Sequence, residues 1–74
     1  MGVVKHAYIK VVYVNDGYGK INIRDDDDPR SIYDFFVENI REGKIISYQG
    51  SDEETYFVYH QQGIFKIELV VEND

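Results

Sequence analysis

Carboxylates are the reactive groups this chain has in quantity, and they come in three clusters. The first is the run Asp25, Asp26, Asp27 and Asp28; the second is Asp34, Glu38 and Glu42, spaced four apart; the third is Asp52, Glu53 and Glu54. Close carboxylates can hold a hard cation, but a calcium loop spaces its oxygen ligands, turns on a glycine and ends on a distal glutamate. Four consecutive aspartates in an extended loop point alternately and do not converge on one ion, so no metal site is expected. The four-residue spacing is different in kind. On a helix it stacks side chains along one ridge about 6 Å apart, close to the phosphate spacing of a nucleic-acid strand. Such a ridge suits the occupation of a Lys/Arg groove on another protein; its bland alternative is a solvated helix face.

Other chemistry is sparse. There are no cysteines, so no thiolate metal site and no disulfide framework. His6 and His60 fall on different predicted strands. No serine has the context of an activated nucleophile, and "DGYGK" reads as a hairpin turn rather than a phosphate loop. No enzyme activity and no cofactor are expected.

Charge is unevenly divided. Residues 25–54 hold ten acids against three bases, a net −7, and the remainder holds four acids against five bases, a net +1. The imbalance argues against a phosphate backbone as ligand and for a protein partner with a basic surface. No apolar run reaches the ~18 residues of a membrane span, and the N-terminus lacks a signal-peptide pattern. A cysteine-free chain of this kind is expected to be cytoplasmic.

The elements that must carry these groups can be read from periodicity. Val3 to Val14 alternates, with Ala7, Ile9, Val11 and Tyr13 on one face. Tyr18 to Arg24 alternates again, which makes a hairpin. A two-residue Asp16-Gly17 turn would set Lys10 opposite Ile23. A three-residue Asn15–Gly17 loop sets Val11 opposite Ile21 and keeps the apolar residues on one face, with Gly17 left-handed. "DPRSIYDFFVENIREG" is a helix, with Asp28 as N-cap, Pro29 first and Gly43 closing it. Ile32, Tyr33, Phe36 and Ile40 form its core stripe, and Phe35 lies beside the acidic ridge. Three strands follow, 44–49, 55–60 and 64–72. "QQG" is expected to join the last two as a hairpin, with Gly63 left-handed, Tyr59 opposite Phe65 and Phe57 opposite Ile67.

The expectation is a single α+β domain over residues 1–74, in ββαβββ order, with one helix on one face of a mainly antiparallel sheet. The uncovered face is expected to carry Tyr8, Val12, Tyr56, Val58, Ile64 and Val70 among Lys10, Lys20, Arg24 and Lys66. Tyr8, Val12, Tyr56, Val58 and Val70 are the candidate face for a homodimer. Stacking of single-stranded RNA on the same face is a third and weaker reading, opposed by net charge.

The hairpin, helix and following strands are similar in order to β-grasp proteins, of which ubiquitin is the familiar member. The ending "VVEND" lacks the terminal Gly-Gly of a conjugated modifier. In size and charge the chain resembles small acidic phage and mobile-element proteins of the anti-CRISPR type. That resemblance implies an inhibitor; the charge clusters and the apolar residue beside the ridge supply the residues it would act through, Asp25, Asp26, Asp27, Asp34, Phe35, Glu38, Glu42, Asp52, Glu53 and Glu54.

Overall fold

The structure is a computed structural model and describes residues 5–73. Five strands and one helix follow in the order β1 (Lys5–Tyr13), β2 (Tyr18–Asn22), α1 (Pro29–Arg41), β3 (Ile46–Gln49), β4 (Thr55–Val58) and β5 (Ile64–Asn73). This is an α+β fold with antiparallel strands. Val3 and Val4, read as the start of the first strand, lie outside the described residues. The strands divide between two sheets rather than forming one: a three-stranded sheet in the order β2-β1-β5, and a separate β3-β4 pair.

β1 is the central strand because its alternation supplies a full apolar face. Ala7, Ile9 and Val11 are buried, joined by Ile21 and Ile23 from the neighbouring segment. Phe36 of α1, Ile46 and Tyr48 of β3, and Val58 of β4 close the core from the other side. The helix begins and ends as its sequence dictates. Asp28 accepts hydrogen bonds from the Ser31 amide at 3.1 Å and the Ser31 hydroxyl at 2.8 Å, and Pro29 needs no partner in the first turn. At the other end Gly43, at φ 80°, allows its own amide to reach Ile40 O at 3.0 Å and that of Lys44 to reach Asn39 O at 2.9 Å.

The first hairpin departs from the expected register. Ile9 faces Ile21 and Val11 faces Gly19, a shift of two residues that keeps every side chain on its expected face. The loop still has three residues, but they are Val14, Asn15 and Asp16, closed by Tyr13 N donating to Gly17 O at 2.8 Å. Asp16, at φ 73°, takes the left-handed position assigned to Gly17. Aspartate tolerates that conformation, and the Asn15 side chain accepts from Gly17 N at 3.1 Å, so the turn is satisfied one residue early. Gly19 lies beneath Tyr13, whose hydroxyl is 3.5 Å from where a Cβ would project.

The expected β4–β5 hairpin does not form. A 3-10 turn at His60–Gln62 intervenes, and the Gln62 side chain takes backbone partners at both Tyr59 N (3.2 Å) and Phe57 O (3.1 Å). Gly63 is left-handed as expected, at φ 79°. β5 instead runs along the whole of β1, from Tyr13↔Ile64 to Lys5↔Asn73. A β-bulge at Phe65 lets Ile64 and Ile67 both face the core and leaves Phe65 68% exposed; the strict alternation had placed Phe65 inward and Ile64 outward.

β4 is inverted relative to expectation for the same reason. Its partner is β3, with Ile46↔Val58 and Tyr48↔Tyr56, so these four share the inward face. Val58 is 3% exposed and Tyr56 packs against the core. Neither lies on the uncovered face of the large sheet, which corrects their assignment to a homodimer face.

Candidate functional site

The three acidic clusters meet different fates. Of the four consecutive aspartates, two are structural. Asp28 is the helix cap. Asp27 sits in a ring of hydrogen bonds that joins its loop to β3: Arg24 N donates to the Tyr48 hydroxyl at 3.0 Å, that hydroxyl donates to Asp27 Oδ2 at 2.8 Å, and Arg24 Nε donates to the same oxygen at 3.2 Å. The Tyr48 hydroxyl first, and the Arg24 guanidinium second, hold the Asp27 carboxyl below its ordinary value. Asp25 and Asp26 remain exposed.

The 50–54 loop repeats the pattern. Asp52 accepts from the Tyr56 hydroxyl, from Glu54 N at 3.2 Å and from Asn22 Nδ2 at 3.4 Å. The tyrosine bond dominates in lowering the Asp52 carboxyl and pushes the Tyr56 hydroxyl up to about 12. Glu53, at φ 64°, turns the chain, and Glu53 and Glu54 are exposed.

Both loops are fastened to one short segment. Asn22 receives Ser51 N on its carbonyl at 3.3 Å and holds Asp52 by its side chain, while Arg24 ties Asp27 two residues on. A few residues of backbone span ~10 Å at most, so the two loops lie at one end of the molecule, next to the helix N-terminus. Asp25, Glu53 and Glu54 are the acids of that end whose carboxylates have no hydrogen bond or ion pair among the described residues, and Asp26, also exposed, stands 4.0 Å from the Arg24 Nε.

The helix ridge is partly neutralised. Asp34 pairs with Arg30 at 3.5 Å and Glu42 with Lys44 at 3.0 Å. Glu38 has no ion pair among the described residues, and Phe35 is 46% exposed. Exposed pairs of this kind are worth little to stability, but they reduce the charge offered to a partner. Sequence reasoning could not have separated Asp27 and Asp52 from their neighbours, because the tyrosines that engage them come from β3 and β4.

The uncovered sheet face keeps Tyr8, Val12 and Val70, and two lysines lie across tyrosine rings: Lys20 Nζ is 4.4 Å from the Tyr8 centroid and Lys10 Nζ 4.9 Å from that of Tyr18. Arg24 belongs to the acidic end instead. Beside the C-terminal half of α1 lies an open groove of about 450 Å³ that periodicity did not anticipate. Val37, Ile40, Ile64 and Ile67 make it apolar, and Tyr33, Arg41, His60 and Lys66 add polar groups, with no acid among its lining. Basic groups thus gather away from the acidic end. Among the described residues, no three of the His, Asp and Glu side chains are grouped to hold a metal ion, and no helix is long and apolar enough to cross a membrane.

Removing the Tyr48 hydroxyl tests the ring directly. Tyr48→Phe leaves Arg24 N without its acceptor, and a loss of about 1–2 kcal/mol is expected in urea denaturation. The pH dependence follows from the directions above. A carboxyl held below its unfolded value stabilises the fold fully above about pH 4 and loses that contribution as the pH falls through its folded value. The stabilisation from Asp27 and Asp52 is therefore in place above about pH 4 and is lost progressively below it. The Tyr56 hydroxyl, held up, contributes below its unfolded value and loses it as the pH rises toward its own, about 12. Ultraviolet titration should show one tyrosine ionising there, and Asp52→Asn should bring it back toward the ordinary value of about 10. An unchanged titration in that variant would remove Asp52 as the cause.

No family model, curated protein or solved structure matches the chain.

Proposed function

We propose that the protein is a non-catalytic binding module whose acidic end docks on the basic surface of a partner protein. The observation that carries this reading is the junction at Asn22–Arg24, which fastens two loops distant in sequence while leaving Asp25, Asp26, Glu53 and Glu54 exposed. Like charges held together raise the folded state's energy, and helix capping uses only Asp28. A surface that concentrates more negative charge than capping requires gains from it when a cationic partner arrives. Glu38 and the exposed Phe35 extend the surface along the helix, and Phe35 supplies an apolar anchor. Occupying a nuclease's nucleic-acid groove, as phage and mobile-element inhibitors do, is the specific form this reading takes on size and charge.

The test is capture from native extract, comparing wild type with a variant carrying Asp25→Asn, Asp26→Asn, Glu53→Gln and Glu54→Gln. The captured partner should bind the variant at least about tenfold more weakly, mostly through a slower association rate, with a steep salt dependence. Phe35→Ala should act on dissociation instead. The quadruple variant should keep its stability within about 0.5 kcal/mol, whereas Asp28→Ala should cost about 1 kcal/mol through the lost cap. A partner that binds the quadruple variant as tightly as wild type at low salt would overturn the proposal.

A further inference from the structure

Among the described residues the outer edge of β5 is the longest strand edge with no strand beside it, and its side chains specify what it can pair with. β5 has ten residues and ends the order β2-β1-β5. The phase of its hydrogen bonding follows from the first hairpin. In β1 the odd-numbered groups face β2: Ala7 O accepts from Ile23 N at 3.0 Å and Tyr13 N donates to Gly17 O at 2.8 Å. Antiparallel strands alternate the side to which successive residues bond, so the even-numbered groups of β1 face β5. Their partners are even-numbered too, in Tyr8↔Val70 and Lys10↔Glu68. Ile67, Leu69 and Val71 therefore turn their N–H and C=O groups to the open edge. The Tyr33 hydroxyl, which donates to Ile67 O at 3.4 Å from the helix side, agrees with this.

We propose that β5 pairs antiparallel with β5 of a second copy of this chain about a two-fold axis at Leu69, making a continuous six-stranded sheet. The charges choose the register. With Leu69 opposite Leu69, Lys66 of each copy faces Glu72 of the other, twice by symmetry, and Ile67 faces Val71. Setting Leu69 opposite Val71 would bring Glu68 against Glu72, and setting Ile67 opposite Leu69 would bring Glu68 against itself; like charges directly opposite oppose pairing. A register centred on Ile67 would overlap only residues 64–70, against 65–73 in the Leu69 register, and in both registers Ile67 O accepts from the second copy on the lone pair that the Tyr33 hydroxyl leaves free. The Leu69 register also covers Val71, which is 45% exposed in the single chain. A two-fold pairing is closed, so it consumes the edge rather than propagating it. This surface is separate from the acidic end and does not depend on it.

Sedimentation over a concentration series tests the pairing. Wild type should show a monomer–dimer equilibrium in the micromolar range. Lys66→Glu and Glu72→Lys should each weaken the dimer by about tenfold or more, because each sets like charges opposite one another twice. An equimolar mixture of the two variants should restore it, because every facing pair in the mixed dimer is again opposite in sign. Val71→Pro removes a donor that faces the edge and none that faces β1, and should give a folded monomer. A wild type that stays monomeric at high micromolar concentration would overturn the proposal. So would a mixture no more dimeric than its components, or a Val71→Pro chain that dimerises like wild type.

Discussion

Phe36→Ala is expected to leave the chain largely unfolded at room temperature. Phe36 is the helix's one fully buried side chain, at 0% exposure. Its ring meets Tyr48 edge to face at 5.8 Å and Phe35 at 6.1 Å. It joins the helix to both sheets, since Ile9 and Val11 of the larger sheet and Tyr48 of the smaller belong to the same core. Truncating a buried phenylalanine costs about 3–5 kcal/mol, because the transfer energy is lost and the cavity closes only in part. A domain of this size has a stability of about the same magnitude. The measurement is a urea transition followed by far-ultraviolet circular dichroism, and a cooperative transition with an unchanged midpoint would show that the helix is held some other way. Ile32→Ala, at the partly buried edge of the same stripe, should cost less and remain measurable.

Gly50→Ala should have the second-largest effect, through geometry rather than burial of apolar surface. A Cβ on Gly50 would collide with Asn22 O and stand 3.1 Å from Asp52 Oδ1 and 3.2 Å from the Tyr56 ring. The nearest contact is backbone, so the 50–54 loop must withdraw from β2. Overpacking of this kind costs about 1–3 kcal/mol, and here it also strains the Ser51–Asn22 and Asp52–Asn22 bonds that fasten the acidic end. The variant should therefore lower the urea midpoint and shift the Tyr56 titration from about 12 toward the ordinary value. Gly43→Ala is the useful contrast: φ is 80° there but the space is open, so only backbone strain of about 1–2 kcal/mol is expected. If Gly50→Ala proved milder than Gly43→Ala, the close approach of the two sheets at Asn22 would be wrong.

Much of this architecture is local and was legible in the residues. The alternation of Ala7, Ile9 and Val11 names the inward face of β1, and Ile21 and Ile23 name that of the second strand, whatever their register. Asp28-Pro29 and Gly43 bound the helix because capping is settled within one turn of chain. The charge division between residues 25–54 and the rest is likewise a property of composition alone.

Tertiary structure decided the partners. β4 and β5 flank "QQG" with strand-like sequence, but β5 joins β1 because β1 offers a full-length complement, and the Gln62 side chain closes a turn where a hairpin ladder would begin. That choice set the face of Tyr56 and Val58, since a strand's inward residues follow from which neighbour it adopts. The bulge at Phe65 reverses a face within one strand, and no period-two pattern announces it. The acidic runs divide in the same way. Asp25 and Asp27 are indistinguishable by sequence, yet Asp27 answers Tyr48, twenty-one residues away, and Asp52 is bound by Asn22, thirty residues away. Short-range energetics, repeated at each residue, specify elements and caps. Which carboxylate is consumed by the fold, and which is left for a partner, depends on hydroxyls and amides brought near only by packing.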